Sequence, residues 1–352
     1  NPINDASLLS DPRTRAVYQK EIFPQRTTGF GESQLVTFDL SYYPQERGPY
    51  NYSSSPLQIN AAGKLQNPRK KWGGLMRSLD QTDFETANIE FTEFWLQDPF
   101  ILPEYNTTNG GKLYINLGNI SEDILKDGQR FYENGLPTPN VPAQVNNTVW
   151  GRVPLNPIQV TNAFSNVEED RAYQDVGFDG LSDTAEVNNR QDYLNQLATN
   201  FGTSSPIYQA ALNDPSADNF KNYRDGGFGA GDGILARYKS FNGPNGNSPI
   251  NTGGEFTTAA TLYPDAEDLN RENTMNQTEE YFQYKVDIKR TDEPEMQIGT
   301  NFIVDKKVVN VNLVDGTNRN ETWYQFRIPV SQYEQRVGNI PDFKSIRFMR
   351  MY

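Results

Sequence analysis

Apolar and polar residues alternate with period two in several stretches of this chain, the pattern of strands that bury one face. Two stretches lie early: "NIEFTEFWL" at 88–96, and "GKLYINLG" at 111–118, whose Leu113, Ile115 and Leu117 share a face. Three lie late. "EYFQYKVDIK" puts Phe282, Tyr284, Val286 and Ile288 on one side, "NFIVDKKVVNVNLV" is a longer extended run, and "TWYQFRIPV" lines up Tyr324, Phe326, Ile328 and Val330. A shorter alternation in "SQLVTFDLSYY" sets Val36, Phe38 and Leu40 opposite Leu35 and Thr37 before Pro44, Gly48 and Pro49 break it. Helical signals are fewer. "SLLSDPRTRAVYQKEIF" predicts a short helix with Asp11 as N-cap, Pro12 at the first position, and Val17 and Ile22 on the apolar side. "NISEDILKDG" predicts one or two turns capped by Ser121 and stopped at Gly128.

The middle of the chain has another texture. Pro137, Pro139, Pro142, Pro154 and Pro157 each lack a ladder donor, so the segment around them cannot be a central strand. Beyond it, Tyr193, Leu194 and Leu197, then Tyr208, Ala211 and Leu212, fall at helical spacing. "DGGFGAGDG" at 225–233 carries no Gly-Lys-Ser/Thr step and contains Asp232, an acid that would oppose phosphate, so it reads as a turn. The expected class is therefore mainly β: two jelly-roll sandwiches with a loop-rich, partly helical insert between them. The expected boundaries are 1–130 for the first sandwich with its N-terminal helix, 131–258 for the insert, and 259–352 for a second sandwich completed by earlier segments. A weak internal repeat supports two copies, since Trp72 precedes "TDFETANIEF" and Trp323 precedes "PDFKSIRF" at unequal spacing.

Composition narrows the chemistry. Against 32 Lys plus Arg stand 45 Asp plus Glu, a net charge of −13 that opposes nucleic acid and favours cations. With neither His nor Cys in its 352 residues, the chain has no imidazole, no thiolate and no disulfide. An enzyme would have to run on carboxylates, and the candidate pairs are Glu90 with Glu93, Glu279 with Glu280, and Asp265, Glu267 and Asp268. Solvated charge explains such pairs more simply, and no enzyme is expected. No apolar run is long enough for a spanning helix, and the absence of an initiator Met together with a strand still under way in "SIRFMRMY" predicts a cut from a longer polypeptide.

One stretch invites a metal. "DVGFDGLSDTAE" has the length and spacing of an EF-hand loop, with Asp175, Asp179 and Asp183 at places one, five and nine, Gly180 at six and Glu186 at twelve. Gly177 fails the third place. Calcium would take the carboxylates of Asp175, Asp179, Asp183 and Glu186 and the carbonyl of Leu181, and would serve structure. The competing reading is a capping box, "DTAE", heading the next helix. Tyr42, Tyr43, Tyr50 and Tyr52 could stack on a sugar or peptide, or could simply pack.

Several long stretches in order, among them "VTFDLSYYPQERGPYNYS", "IEFTEFWLQDPF", "GGKLYINLGNISEDILKDG", "WGRVP", "DVGFDGLSD", "DPSADNFKNYR", "ATLYPDAEDLNRENTMNQTEEYF" and "GNIPDFKSIRFMRMY", resemble the SprA (Sov) family of giant outer-membrane proteins. That family belongs to the Bacteroidetes type IX secretion and gliding machinery. The resemblance implies a soluble segment of a large β-barrel translocon that exports folded proteins, located at the cell outer membrane on its extracellular or periplasmic side. It implies no catalytic residues. Implied partners are other parts of the same large chain, further components of the secretion apparatus and its cargo proteins. The alternative is a carbohydrate- or cargo-binding jelly-roll module of a secreted surface protein, because "FWLQDPF" to "NLGNISED" is also similar to galactose-binding-type jelly rolls.

Overall fold

The computed structural model describes residues 3–26, 33–130, 145–155, 179–240 and 266–352. Its strands in chain order are β1 (Val17–Tyr18), β2 (Gln34–Leu35), β3 (Leu75–Ser78), β4 (Phe91–Gln97), β5 (Gly111–Asn119), β6 (Val145–Asn147), β7 (Arg152–Pro154), β8 (Glu280–Ile288), β9 (Ile303–Asn312), β10 (Asn318–Pro329), β11 (Gln335–Val337) and β12 (Phe348–Met351). The α-helices are α1 (Ala6–Leu9), α2 (Gln19–Ile22), α3 (Asp183–Asn189), α4 (Gln191–Phe201), α5 (Pro206–Asn213) and α6 (Ile234–Tyr238). They belong to two compact units. One comprises Asn1–Leu40, Gly74–Ser121 and Asn276–Tyr352; the other comprises Ser41–Gly73 and Glu122–Met275.

The first unit is mainly β. Its larger sheets are antiparallel, with strand orders β4-β10-β9 and β11-β8-β5-β12-β3. Their facing sides follow the alternation in the sequence: Leu113, Ile115 and Leu117 lie opposite Val286, Tyr284 and Phe282 in register. Across the other sheet, Phe94 pairs with Phe326 and their rings stack at 5.0 Å. Ile115, Leu117, Phe282, Tyr284 and Val286 from one sheet and Ile303, Tyr324, Phe326 and Ile328 from the other form a single buried cluster. At ~1.5–3 kcal/mol for each fully buried large side chain, this shared core is the main favourable term of the unit. The Tyr284 hydroxyl, buried with it, donates to the Val330 carbonyl at 2.6 Å.

Strands from the first and last thirds thus interleave in the same sheets, where two separate sandwiches were expected. The weak repeat has the same explanation. Phe84 N–H donates to the Phe343 carbonyl at 2.9 Å, Ile346 N–H to Thr82 at 2.8 Å and Leu79 N–H to Arg347 at 2.8 Å, and β3 then pairs with β12. The two Asp-Phe segments are antiparallel neighbours in one body. Each aspartate closes a local turn, Asp83 accepting from the Thr86 amide and Asp342 from the Lys344 amide.

The N-terminal helix begins earlier than expected, with Asp5 as N-cap accepting from the Ser7 amide at 2.8 Å. Asp11 instead holds the backbone and side chain of Arg13 in a turn, and β1 and α2 follow. Val17 and Ile22 are buried against Trp323. Val36, Phe38 and Leu40 carry the expected alternation but are exposed, because only Gln34–Leu35 pairs with a neighbour, β1.

The second unit joins the short β6–β7 hairpin to α3–α6. Tyr193, Leu194 and Leu197 of α4 and Ile207 and Ala211 of α5 bury a common stripe with Ile59 and Leu65. Leu212 faces away and is exposed. Ser205 caps α5, with Pro206 at its first position. The glycine-rich loop wraps a buried arginine: Arg237 donates to the carbonyls of Asp232, Tyr223 and Gly229 and lies over the Phe228 ring. Residues 121–130 form a loop where a helical turn was expected, because carboxylates take the amides a helix would use: Asp123 accepts from Asp127 and Gly128, and Glu267 from Ile124 and Leu125.

Candidate functional site

The acidic loop and the segment after α5 meet inside the second unit. Asp179, Glu186 and Asp218 are each 1% exposed, and one carboxylate oxygen from each lies within 4.8 Å of the others. Local structure sets each group. Asp179 precedes Gly180, whose φ of 71° makes the sharp turn that a side chain would strain, and its Oδ1 accepts from the Leu181 amide at 2.9 Å. Glu186 sits on α3, whose N-cap is Ser182, one residue before the position a capping box would need. Its carboxylate turns inward and accepts from the Ser216 amide at 3.0 Å. The Ser216 hydroxyl donates to Asp179 Oδ2 at 2.6 Å and contacts the Tyr52 hydroxyl at 3.1 Å.

A close backbone approach fixes the floor of this centre. Arg152 N–H donates to the Asp179 carbonyl at 2.6 Å, and a Cβ on Gly151 would stand 2.1 Å from that oxygen. Arg190 forms an ion pair with Asp179, its Nη2 3.8 Å from Asp179 Oδ2. Its guanidinium also donates to the Val149 and Trp150 carbonyls and lies 4.3 Å over the Tyr52 ring. The guanidinium beside Asp179 is thus divided between a carboxylate, two carbonyls and a ring.

The electrostatic consequence is that the charged forms of these carboxylates are disfavoured. Burial, then the charges of Asp218 and Asp179, push the Glu186 carboxyl up to about 9. Burial likewise raises Asp179, even though Ser216, Leu181 and Arg190 pull it down, and nearby Asp214 adds to the rise. The Tyr52 hydroxyl is pushed up to about 12, mainly by burial. The centre can hold a proton or coordinate a hard cation through carboxylate oxygens.

Of the expected ligands, Asp179 and Glu186 are brought together. Asp183 is at the start of α3 and accepts from the Asn219 side chain at 3.0 Å, outside the group of three. Leu181 contributes its amide to Asp179, and Asp175 lies outside the described residues. Asp218 was missed because it comes from "DPSADNFKNYR", remote from the loop in sequence, with no motif of its own. The signal that could have found it is that "DPSAD" and the acidic loop both carry the family resemblance. Ala217, at φ 57°, helps turn the backbone there.

Four of the carboxylates considered for catalysis are engaged elsewhere. Glu93 pairs with Arg327 at 2.6 Å, Glu279 with Arg350 at 3.0 Å, and Glu280 accepts from Asn119. Asp268 accepts from the Glu272 and Asn273 amides, and Asp265 lies outside the described residues. Among the tyrosines, Tyr52 packs edge-on against Tyr193 and Tyr50 against Trp150, while Tyr42 is exposed beside Gly73. No helix among the described residues is long and apolar enough to cross a membrane.

Comparison with known proteins gives the wider setting. No curated protein matches the chain. Residues 192–352 match the SprA_N family, described as a motility related/secretion protein. That match begins within α4 and covers α5, Asp218, the glycine-rich loop and strands β8–β12. Residues 192–352, a little under half of the chain, are thus similar to a family of motility- and secretion-related proteins.

Proposed function

We propose that this chain is a non-enzymatic architectural segment of the outer-membrane translocon of the Bacteroidetes type IX secretion system, supporting export of folded proteins and gliding. The match to a motility- and secretion-related family carries this reading. The side-chain-filled interior of the first unit agrees with it, as does the engagement of Glu93, Glu279 and Glu280 in ion pairs and hydrogen bonds. Its partners would be other parts of the same large chain and components of the same apparatus.

Within this role the centre of Asp179, Glu186 and Asp218 serves as a structural calcium site. The fit rests on all-oxygen ligands, near-complete burial and the convergence of three carboxylates within 4.8 Å. The ion would hold the loop before α3 to the segment after α5, and no chemistry at the ion is required.

The test is an in-frame deletion of residues 276–352 in the gene encoding this chain. Loss of both protein export and surface spreading is expected, measured by the proteins recovered from the culture medium and by colony migration. Normal export and migration in that strain would contradict the proposal.

A further inference from the structure

A second acidic group lies where the long insert Glu122–Met275 leaves β5 and returns towards β8. Asp123 and Asp127 come from the loop after β5, and Glu267 comes from the far end of the insert, yet one oxygen of each lies within 4.8 Å of the others. Each carboxylate divides its work. Glu267, 1% exposed, uses Oε1 to accept from the Ile124 and Leu125 amides at 2.7 and 2.9 Å. Asp127 uses Oδ1 to accept from Gln129 at 2.9 Å. Asp123 uses Oδ1 to accept from the Asp127 and Gly128 amides. Glu267 Oε2 and Asp127 Oδ2 are then buried with no hydrogen-bond partner among the described residues.

Such oxygens are costly to bury unless something positive reaches them. No lysine or arginine forms an ion pair with Asp123, Asp127 or Glu267 among the described residues. Because the two amides held by Glu267 belong to the residues that follow Asp123, its carboxylate faces the inside of the aspartate loop. We propose that Asp123, Asp127 and Glu267 form a second cation site, of the calcium class, which ties the two ends of the insert together.

Three carboxylates and no nitrogen or sulfur ligand select a hard cation. Oxygens within 4.8 Å of one another are close enough to share one hard cation, whose ligand distances are ~2.3–2.6 Å in the case of calcium. Asp123 and Asp127 are only half-buried, so water can complete the coordination. Burial, with Asp127 and Asp123 nearby, pushes the Glu267 carboxyl up to about 7 against the pull of its two backbone donors. Tethering residues so far apart in sequence removes loop-closure freedom from the insert. This site shares no ligand with Asp179, Glu186 and Asp218, and the inference does not depend on that centre.

Trp150 supplies a local probe, since its indole N–H donates to the Leu125 carbonyl at 3.1 Å inside the same loop. The experiment uses the full chain, stripped with chelator and titrated with calcium in a calorimeter and with terbium under tryptophan excitation. Wild type is compared with Glu267→Gln, Asp127→Asn and Glu186→Gln. Gln at 267 and Asn at 127 keep an oxygen for the backbone donors, and circular dichroism confirms the fold. The expected result is that Glu267→Gln and Asp127→Asn each lose one calcium equivalent, or weaken it at least tenfold, with a matching loss of terbium emission, whereas Glu186→Gln keeps that equivalent. Unchanged stoichiometry and affinity in folded Glu267→Gln and Asp127→Asn, or no binding by wild type, would overturn the proposal.

Discussion

Glu321 in the first unit and Glu186 in the second are both buried carboxylates, yet their surroundings differ in charge balance. Glu321, 0% exposed, accepts from Arg15 Nε at 2.9 Å, Gln97 at 2.6 Å and Arg319 Nη2 at 2.9 Å. Arg15 also grips Glu21 with two bonds of 3.0 and 2.6 Å, so two arginines face two glutamates. Glu186 has the Ser216 amide, two further buried acids and a guanidinium that reaches only Asp179. The first arrangement is complete as built and pins the N-terminal segment to β10. The second, on the proposed reading, is completed by a cation from outside the chain. A buried acid is therefore informative about ligands only after its counter-charges have been counted.

The comparison can be pressed hardest through pH. In cation-free protein Glu186 keeps its proton up to about 9, whereas the unfolded chain ionises near ~4.3. The folded state then binds more protons, so stability is greatest below the unfolded value and declines as pH rises towards about 9. The slope approaches ~1.4 kcal/mol per pH unit for one proton. Asp179, Asp218, Asp214, Arg190 and Tyr52 face the same group and shape the slope. Urea unfolding at pH 6 and pH 8 should show the decline in wild type and a flatter profile in Glu186→Gln; equal slopes would remove the assignment. At the compensated centre, Arg15→Met leaves two acids without their main partner and should cost ~3–5 kcal/mol in the same assay. A loss below ~1 kcal/mol would mean that Arg15 is not the pin.

Smaller effects sharpen the contrast. Gly151→Ala drives a methyl into the Asp179 carbonyl and should destabilise by ~1–3 kcal/mol while weakening calcium binding in calorimetry. Unaltered calcium affinity would detach the β6–β7 hairpin from the acidic centre. Glu93→Gln removes a half-exposed partner of Arg327 and should cost less than ~1 kcal/mol by urea unfolding, the ordinary value of a surface pair.

What the sequence made legible follows the same physics. Strands with one buried face advertise it, so Tyr324, Phe326 and Ile328, or Phe282, Tyr284 and Val286, could be placed by alternation alone. Which strand lies beside which is decided by contacts between remote segments, and so the pairing of β5 with β8 and of β3 with β12 was invisible. The N-terminal segment misled because Arg15 and Ile22 answer to Glu321 and Trp323, not to a local helix. In the acidic centre, Asp179 and Glu186 stood out by loop spacing. Asp218 and the pairing of Asp123 with Glu267 did not, since neither cluster is local in the chain.

The most direct measurement is a thermal melt of the full chain with calcium and with chelator, for wild type and Glu186→Gln. A midpoint that falls on chelation in wild type, and falls by less in Glu186→Gln, is expected of carboxylates that hold calcium in the folded state. Identical wild-type melts with calcium and with chelator would contradict it.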